Sequence, residues 1–487
     1  MMKYEIEESG EGEKAVINVT STEFRSMFRE YDLRGRVNEE ELNVESVQRI
    51  AHAFGIYLKK RKIDSTVIGY DNRTTSLDFK NAAATGLLSA GCNVIDIGLT
   101  LSPVLYFAQH HYHCPGGVMV TASHNPDDWS GMKLSDGLSR TLGPAEVKEL
   151  FQLVVSGERV RGSGKYESRN VRSAYIERLT DGVKLDRLLK VVVECGNGGA
   201  GVFAYEILQR IGCLTFQLYC DPDTSYPNYF PNPSNLKARK RLREMVTHPY
   251  IQADIGLGFD GDGDRIGVQD GQGRNVWSDV MLIFLARQML ARKPGSQIVF
   301  DVKCTQALIE EIESNGGKPV MWKTGHSHIK AKLHELNAEL AGERSGHIFF
   351  NEGYYGFDDA LYAAVRLLEY LASQKQSFAE LLETVPKYVT SPEIAAHCPD
   401  EVKYRVVEEL VGQFKKEYGD KVIDINGARV VFDDGWGLVR ASSNLPQLVI
   451  IFEAKTEERL MKIRELFRDK ILAHPEVSPK WENDIYA

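Results

Sequence analysis

Three aspartates alternate with glycine in the stretch GFDGDGDR: Asp260, Asp262 and Asp264. Carboxylates this close repel, and each raises its neighbours' proton affinity unless a cation lies among them. The glycines let a short loop fold the three groups onto one centre. All-oxygen donors, with no histidine or cysteine beside them, suit a hard ion such as Mg²⁺ or Ca²⁺ better than Zn²⁺. An EF-hand would need glycine at its sixth position and glutamate at its twelfth; counted from Asp260, those positions hold Arg265 and Gly271. Mg²⁺ is therefore the expected ion, with a phosphate oxygen as a further ligand. The apolar run ADIGLGF before Asp260 sets the loop at the end of a buried strand rather than in a solvated acidic turn.

A second stretch, TASHNPDDWSGMK, puts Ser123 directly before His124 after the apolar run GGVMV. A serine hydrolase normally draws its base from elsewhere in the chain, and the GxSxG elbow is absent, so the adjacency does not read as a catalytic dyad. A serine near a Mg²⁺ site suggests phosphoryl transfer instead. GERSGH offers Glu343, Ser345 and His347, a set able to bond adjacent sugar hydroxyls, though a plain polar turn looks the same. KTGHSHIK sets His326 and His328 before a helix with Ser327 as its expected N-cap. RASSN carries Arg440, Ser442, Ser443 and Asn444 between two strand-like runs, a phosphate cradle or an ordinary hairpin. CGNGGAG has Gly196, Gly198 and Gly201 in GxGxxG spacing between a strand and a helix, with Asp221 beyond. That is the pattern of a dinucleotide site, but a tight turn with close helix–strand packing is the better reading. It sustains a rival reading, an NAD-dependent oxidoreductase. No GxxxxGK[ST] occurs, which counts against a P-loop NTPase.

Strand-like and helix-like segments alternate from about residue 44 to about residue 375, which argues an α/β fold. Val44, Val47, Ile50, Ala51, Phe54 and Leu58 share one helical face; TVIGYD, NVIDIG, KVVVEC, ADIGLGFD and QIVFDV read as strands. Three such blocks follow one another with no sequence repeat, only a repeated pattern. Each places its most polar segment, TASHNP, GFDGDGDR or AGERSGH, at a strand's carboxyl end, where open parallel sheets collect ligands. The last block differs. KVIDINGARVVF, GLVRASS and QLVIIFEA read as antiparallel strands flanked by two helices, a smaller α+β domain starting near Ser391–Pro392.

A chain of 487 residues is too long for one core, so three or four domains are expected. The net charge of −9, with no long basic run, disfavours a general nucleic-acid or anionic-membrane surface. Apolar stretches such as MLIFLA fall short of a bilayer span. The acidic start, MMKYEIEESGEGEK, does not read as a signal peptide. Seven scattered cysteines with no CxxC suit reduced, buried thiols, so a cytoplasmic location is expected.

Taken in order, FREYDLRG, TASHNPDDWSGMK, GFDGDGDR, DVKCT, KTGHSHIK, GERSGHIFF, GFDDALY and GWGLVRASSNLP resemble the α-D-phosphohexomutase superfamily, and most closely its bacterial phosphomannomutase/phosphoglucomutase branch. The resemblance runs from about Phe28 to near the C-terminus. It implies three related α/β domains with mixed sheets and a smaller C-terminal α+β domain around a central cleft: 1–168 with a phosphoserine loop, 169–274 with a metal loop, 275–388 with a sugar-recognition loop, and 389–487 binding phosphate. It implies reversible phosphoryl transfer between the 1- and 6-positions of a glucose or mannose phosphate through phospho-Ser123 and a bound hexose 1,6-bisphosphate. Mg²⁺ would be held by Ser123, Asp260, Asp262 and Asp264. Arg34, Lys133 and His326 would join Ser123 in catalysis. Substrate would meet Tyr31, Arg265, Lys303, Glu343, Arg344, Ser345, Gly346, His347, Arg440, Ser442, Ser443 and Asn444. The implied partner is a small-molecule sugar phosphate, and the implied state a monomer or weak oligomer. The chain departs from the branch's usual residues at Arg344, where Met is common, and in SSNLP, where Ser-Asn-Thr-Thr-Pro is usual.

Overall fold

Apolar, β-branched runs buried on both faces build parallel strands, and the amphipathic segments between them cross over as helices. In the computed structural model, which describes residues 18–443 and 445–485, this happens three times. The first sheet has parallel strands Ser65–Tyr70, Asn93–Leu99 and Gly116–Val120, with Trp129–Gly137 antiparallel beside the last and Leu33–Arg36 beyond it. The second has Lys190–Glu194, Leu214–Leu218 and Ile255–Phe259 parallel, then Ile266–Asp270 antiparallel. The third has Gln297–Asp301, Lys318–Trp322 and Leu340–Gly342 parallel, then Ile348–Phe350 antiparallel. In each sheet these four lie in the spatial order fourth, third, first, second. The repeated sequence pattern is thus a repeated topology.

Periodicity does not reveal the fourth strand. Ile266–Asp270 and Ile348–Phe350 are short, and Trp129–Gly137 buries Ser130, Lys133 and Ser135, so its polar residues do not mark a solvent face. Its consequence is geometric. The chain must reverse between third and fourth strands, and each reversal is one of the polar loops: 121–128, 260–265 and 343–347.

The C-terminal sheet is antiparallel, with Ala428–Phe432, Gly435–Ala441, Gln447–Ala454 and Ile394–His397 as consecutive neighbours, and is packed with helices Lys403–Tyr418 and Glu457–Leu472. KVIDINGARVVF is not one strand but two, Val422–Ile423 and Ala428–Phe432, paired through a turn. Gly427 makes that turn with φ 90°, where a Cβ would lie 2.3 Å from the Val439 carbonyl oxygen.

One apolar core runs through the first three domains, from Val67 and Leu105 through Val191 and Leu257 to Leu282, Phe300 and Leu368. The C-terminal domain has its own core around Leu410, Val439, Ile450 and Phe467. It meets the third domain on a small patch of Val302, Trp436, Leu438 and Ile451. All seven cysteines are buried free thiols. Among the described residues no helix is long and apolar enough to cross a membrane.

Candidate active site

Ser123 sits on the first reversal with φ 51°, a left-handed conformation that non-glycine residues seldom adopt without support. The support is Arg73. Its guanidinium donates to the carbonyls of Ser123 (3.0 Å), Asn125 (2.7 Å), Pro126 (2.8 Å) and Trp129 (3.0 Å). Asp71 neutralises it at 3.3 Å, and Phe230 of the second domain lies under it at 4.4 Å. Arg73 was not singled out from the sequence. The signal was available, since it follows the strand Ser65–Tyr70 at the same sheet end as the serine loop.

The Ser123 hydroxyl donates to Asp260 Oδ2 at 2.8 Å and lies 3.2 Å from His124 Nδ1. The His124 ring is held neutral by burial and by Arg265 and Arg34. The serine and aspartate loops meet so closely that a Cβ on Gly261 would lie 2.7 Å from the Ser123 carbonyl oxygen. Asp260, Asp262 and Asp264 are fully buried, with carboxylate oxygens within 4.8 Å of one another. Asp260 Oδ1 accepts the backbone N–H groups of Asp264 and Arg265, each at 3.1 Å, which closes the loop. Among the described residues, Asp262 Oδ1 and Asp264 Oδ1 have no hydrogen-bond partner. Buried unpaired carboxylate oxygens are costly, and a hard divalent cation would satisfy them.

Lys133, on the antiparallel strand, bonds Asp262 Oδ2 at 2.6 Å and also Asp264 Oδ2. Burial opposes its charge, but Asp262 and Asp264 win and hold the ammonium protonated. Burial, then Asp264 and Asp262, pushes the Asp260 carboxyl well above the carboxylate range. For Asp264 burial acts the same way but is outweighed by Lys133 and His347. Arg34 donates to Asp32 Oδ2 at 2.7 Å and to Asn125 Oδ1 at 2.8 Å, so its charge also flanks the serine loop.

The third reversal docks on the second. Gly346, at φ 108°, accepts from Ile266 N at 3.1 Å and donates to the Glu343 carbonyl at 3.0 Å. Both its backbone groups are therefore used within the protein. Arg265 Nε donates to His347 Nε2 at 2.9 Å, so His347 carries its proton on Nδ1 and donates to Asp358 Oδ2 at 2.9 Å. Glu343 accepts from Gly325 N at 2.6 Å, and Ser345 is half-buried beside it.

His326 stacks on His347, centroids 5.5 Å apart, and meets Tyr31 edge-on at 4.9 Å. Among the described residues neither of its ring nitrogens has a hydrogen-bond partner. Burial, then Lys133 and His347, holds the ring well below the usual histidine range, hence neutral. Lys330, one turn along the helix His326–Leu336, lies over the Tyr106 ring at 4.2 Å and 3.9 Å from Asp358. Burial lowers its ammonium to about 8 against the pull of Asp358. Asp358 and Lys330 lie inside quoted motifs but were not assigned. Ser327 is not the helix cap. Gly325 holds that position, and Ser327 Oγ instead meets Thr141 Oγ1 of the first domain at 2.7 Å.

From the C-terminal domain, Arg440 Nε donates to Asn426 Oδ1 at 2.9 Å and its NH2 reaches Ser443 Oγ at 3.4 Å. Ser442 Oγ accepts from Leu445 N at 3.2 Å. Asn444 lies outside the described residues. Lys303 bonds Glu393 Oε2 at 3.0 Å, a carboxylate not singled out from the sequence. Arg344, beside Glu343, has its side chain committed to protein partners. Its guanidinium bonds Asp279 Oδ2 (3.1 Å), Thr390 Oγ1 (3.0 Å) and the Ser391 carbonyl (3.3 Å). Neighbours on a tight loop face opposite sides, so Glu343 and Arg344 diverge.

The glycines of the rival dinucleotide reading are filled by the chain itself. A Cβ on Gly201 would lie 1.7 Å from the Cys220 carbonyl oxygen, and one on Gly196 would lie 2.8 Å from Pro231. They permit close packing of strand, helix and loop rather than approach of a pyrophosphate.

Four family profiles match the chain. They are "Phosphoglucomutase/phosphomannomutase, alpha/beta/alpha domain" I over residues 25–160, II over 173–273 and III over 277–388, and the "C-terminal domain" over 393–470. The chain is 39% identical over 450 residues to the phosphomannomutase/phosphoglucomutase of Pseudomonas aeruginosa, covering 92% of this chain and 96% of that one. It is 35% identical over 454 residues to the phosphoglucomutase of Neisseria gonorrhoeae, covering 93% and 98%. A crystal structure of a phosphoglucomutase/phosphomannomutase family protein from Burkholderia thailandensis superposes with TM-score 0.86 at 37% identity, covering 92% and 97%.

Proposed function

The chain belongs to the phosphoglucomutase/phosphomannomutase family and is a phosphohexomutase, and from that premise we propose that it interconverts the 1- and 6-phosphates of glucose, mannose or both through a phosphoserine at Ser123. The contact of Ser123 Oγ with Asp260 Oδ2, 2.8 Å across the first two domains, carries this reading. It joins a buried hydroxyl on a left-handed backbone position to a carboxylate triad, a pairing suited to phosphoryl transfer from serine. Residues 1–168, 169–274, 275–388 and 389–487 are the proposed units, each giving one loop to the cleft.

Mg²⁺ held by Asp260, Asp262, Asp264 and an oxygen of phosphorylated Ser123 would supply positive charge against the transferring group. The guanidinium of Arg34 and the ammonium of Lys133 add fixed charge beside the Ser123 loop. In the forward step the phosphorus–oxygen bond to Ser123 breaks and one to the free sugar hydroxyl forms, giving a hexose 1,6-bisphosphate. The hydroxyl's proton goes to a base, for which His326, neutral and with no hydrogen-bond partner among the described residues, is the candidate, and the departing Ser123 oxygen takes up a proton to become the hydroxyl again. The bisphosphate then turns end for end and returns its other phosphoryl group to Ser123. Glu343 and Ser345 bond sugar hydroxyls in both orientations, with His347 fixed beside them by Arg265 and Asp358. Arg440, Ser442, Ser443 and Asn444 hold the phosphate that is not reacting, with Tyr31, Arg265 and Lys303 along the cleft.

A coupled assay of glucose 1-phosphate and mannose 1-phosphate, primed with glucose 1,6-bisphosphate, tests the activity. Mass spectrometry of the intact chain should find about 80 Da of phosphate, lost in Ser123→Ala together with turnover. Full activity in that variant would refute the nucleophile, and no turnover of either sugar phosphate by the parent protein would refute the substrate class.

A further inference from the structure

Two of the seven buried thiols face each other. Cys195 follows the strand Lys190–Glu194, and Cys220 lies two residues beyond its parallel neighbour Leu214–Leu218. Their sulfurs are 3.4 Å apart. Neighbouring strands run about 4.8 Å apart, within the Cα separation that a disulfide spans. The two sulfurs differ in setting. The bond to Cys220, then burial, pushes the Cys195 thiol well above the usual range, so it stays protonated and is a poor nucleophile toward an oxidant. Cys220 lies past the end of the sheet's edge strand and leads straight into the exposed loop 221–225. Its residue is 6% exposed against 0% for Cys195, so it is the sulfur nearer to solvent.

We propose that Cys195 and Cys220 form a dithiol site that a hydroperoxide converts to a disulfide and a small thiol reduces again, and that closing this bond slows turnover. The Cys220 sulfur attacks one peroxide oxygen. The O–O bond breaks, water leaves with the thiol proton, and Cys220 becomes a sulfenic acid. The Cys195 sulfur, already in contact, displaces the sulfenic hydroxyl; the S–S bond forms, and the Cys195 proton leaves in a second water. The two sulfurs lose the two electrons that the peroxide gains. Bond formation draws the sulfurs to about 2.0 Å. The helix beside them cannot absorb that movement, because a Cβ on Gly201 would already lie 1.7 Å from the Cys220 carbonyl oxygen. The movement passes instead to the two turns beyond the cysteines. These are tied together by Asn197 N to the Tyr219 carbonyl at 2.7 Å and Asp223 N to the Asn197 carbonyl at 3.0 Å. Together they grip Asn72 of the first domain. Its Nδ2 donates to the Asn197 carbonyl at 2.9 Å, and its Oδ1 accepts the Tyr226 hydroxyl at 3.2 Å. Asn72 directly precedes Arg73, the residue whose guanidinium holds the Ser123 loop. The effect on turnover rests on the mutase reading; the bond itself does not.

The test treats the reduced full-length protein with hydrogen peroxide, then alkylates and digests it. Mass spectrometry is expected to find a peptide linking Cys195 to Cys220 that dithiothreitol splits. Turnover of glucose 1-phosphate is expected to fall by about tenfold or more, as for a small displacement of a reacting group, and to return with dithiothreitol. Cys220→Ala is expected to keep its activity through the same treatment, and Cys195→Ala serves in its place should the first variant fold poorly. An absent linkage, a linkage that leaves turnover unchanged, or equal inactivation of parent and variant overturns the proposal. Hydrogen exchange of residues 121–128 reads the coupling without turnover. It is expected to quicken in the disulfide form, and an unchanged rate counts against the coupling. Lack of turnover in the reduced parent counts against the mutase reading instead.

Discussion

Lys133 carries the sharpest electrostatic consequence of any single side chain in the cleft. Its ammonium bonds Asp262 and Asp264, two of three carboxylates gathered in a fully buried space. Lys133→Met leaves that negative charge without its protein counter-ion. The expected result is a fall in kcat of about 10²-fold or more, as for other lost charge stabilisation, together with half-saturation at a lower Mg²⁺ concentration. Simple disruption of the site would instead raise the Mg²⁺ requirement, so titrating activity against Mg²⁺ after chelator treatment distinguishes the two. Ser123 and the aspartates stood out as candidates because polar groups end buried strands there, and the resemblance added Lys133 and His326; the structure brings Ser123 against Asp260 and Lys133 against Asp262 and Asp264. Arg73, at the end of the strand Ser65–Tyr70, and Asp358, inside GFDDALY, were open to view but unassigned, while Glu393 was not singled out, because what each bonds becomes plain only when the fold brings the loops together. The bonds of Arg344 to Asp279, Thr390 and Ser391 could not be foreseen, because sequence spacing does not say which way a loop side chain points.

At the scale of elements, strand ends position the site, and Glu194 shows what that costs. It closes the strand Lys190–Glu194, 1% exposed, and accepts from Gly196 N at 2.6 Å and the Tyr229 hydroxyl at 3.1 Å. Burial outweighs both bonds and raises its carboxyl from 4.5 to about 7. The folded state thus binds the proton more tightly than the unfolded chain. Its contribution to stability is fully present below about 4.5 and is lost as pH rises through about 7. Glu194→Gln should remove this dependence, so that between about pH 5 and about pH 8 the parent protein loses up to about 3 kcal/mol relative to the variant. Denaturant unfolding at both pH values measures the difference, and parallel changes in the two proteins would refute it. The parallel strands and helices were legible from β-branched runs and helical faces. The antiparallel fourth strand was hidden, because Trp129–Gly137 buries polar residues where periodicity expects apolar ones.

At the scale of the whole molecule, one core runs through the first three domains, beside a second core within the first, while the fourth is joined by a narrow apolar patch and a few buried polar contacts. Arg429 donates from the fourth domain to the carbonyls of Val302 (2.6 Å) and Cys304 (2.8 Å), and Glu453 accepts from Gln306 N at 2.8 Å. Arg344 completes the joint from the other side, tying Asp279 of the third domain to Thr390 and Ser391 where the chain crosses over. These bonds fix the angle at which the fourth domain, with Arg440 and its proposed phosphate cradle, is set against the third. Arg344→Met keeps apolar bulk but removes the charge, leaving the fully buried Asp279 without its cation. The expected cost is about 3 kcal/mol of stability, with KM raised more than kcat is lowered, because the cradle loses its set position while the Ser123 loop keeps Arg73. Adding Asp279→Asn removes the stranded charge and should recover much of the stability without restoring KM. Recovery of both together would mean that Arg344 only balances a charge; recovery of stability alone would mean that the joint it makes with Thr390 and Ser391 orients the fourth domain.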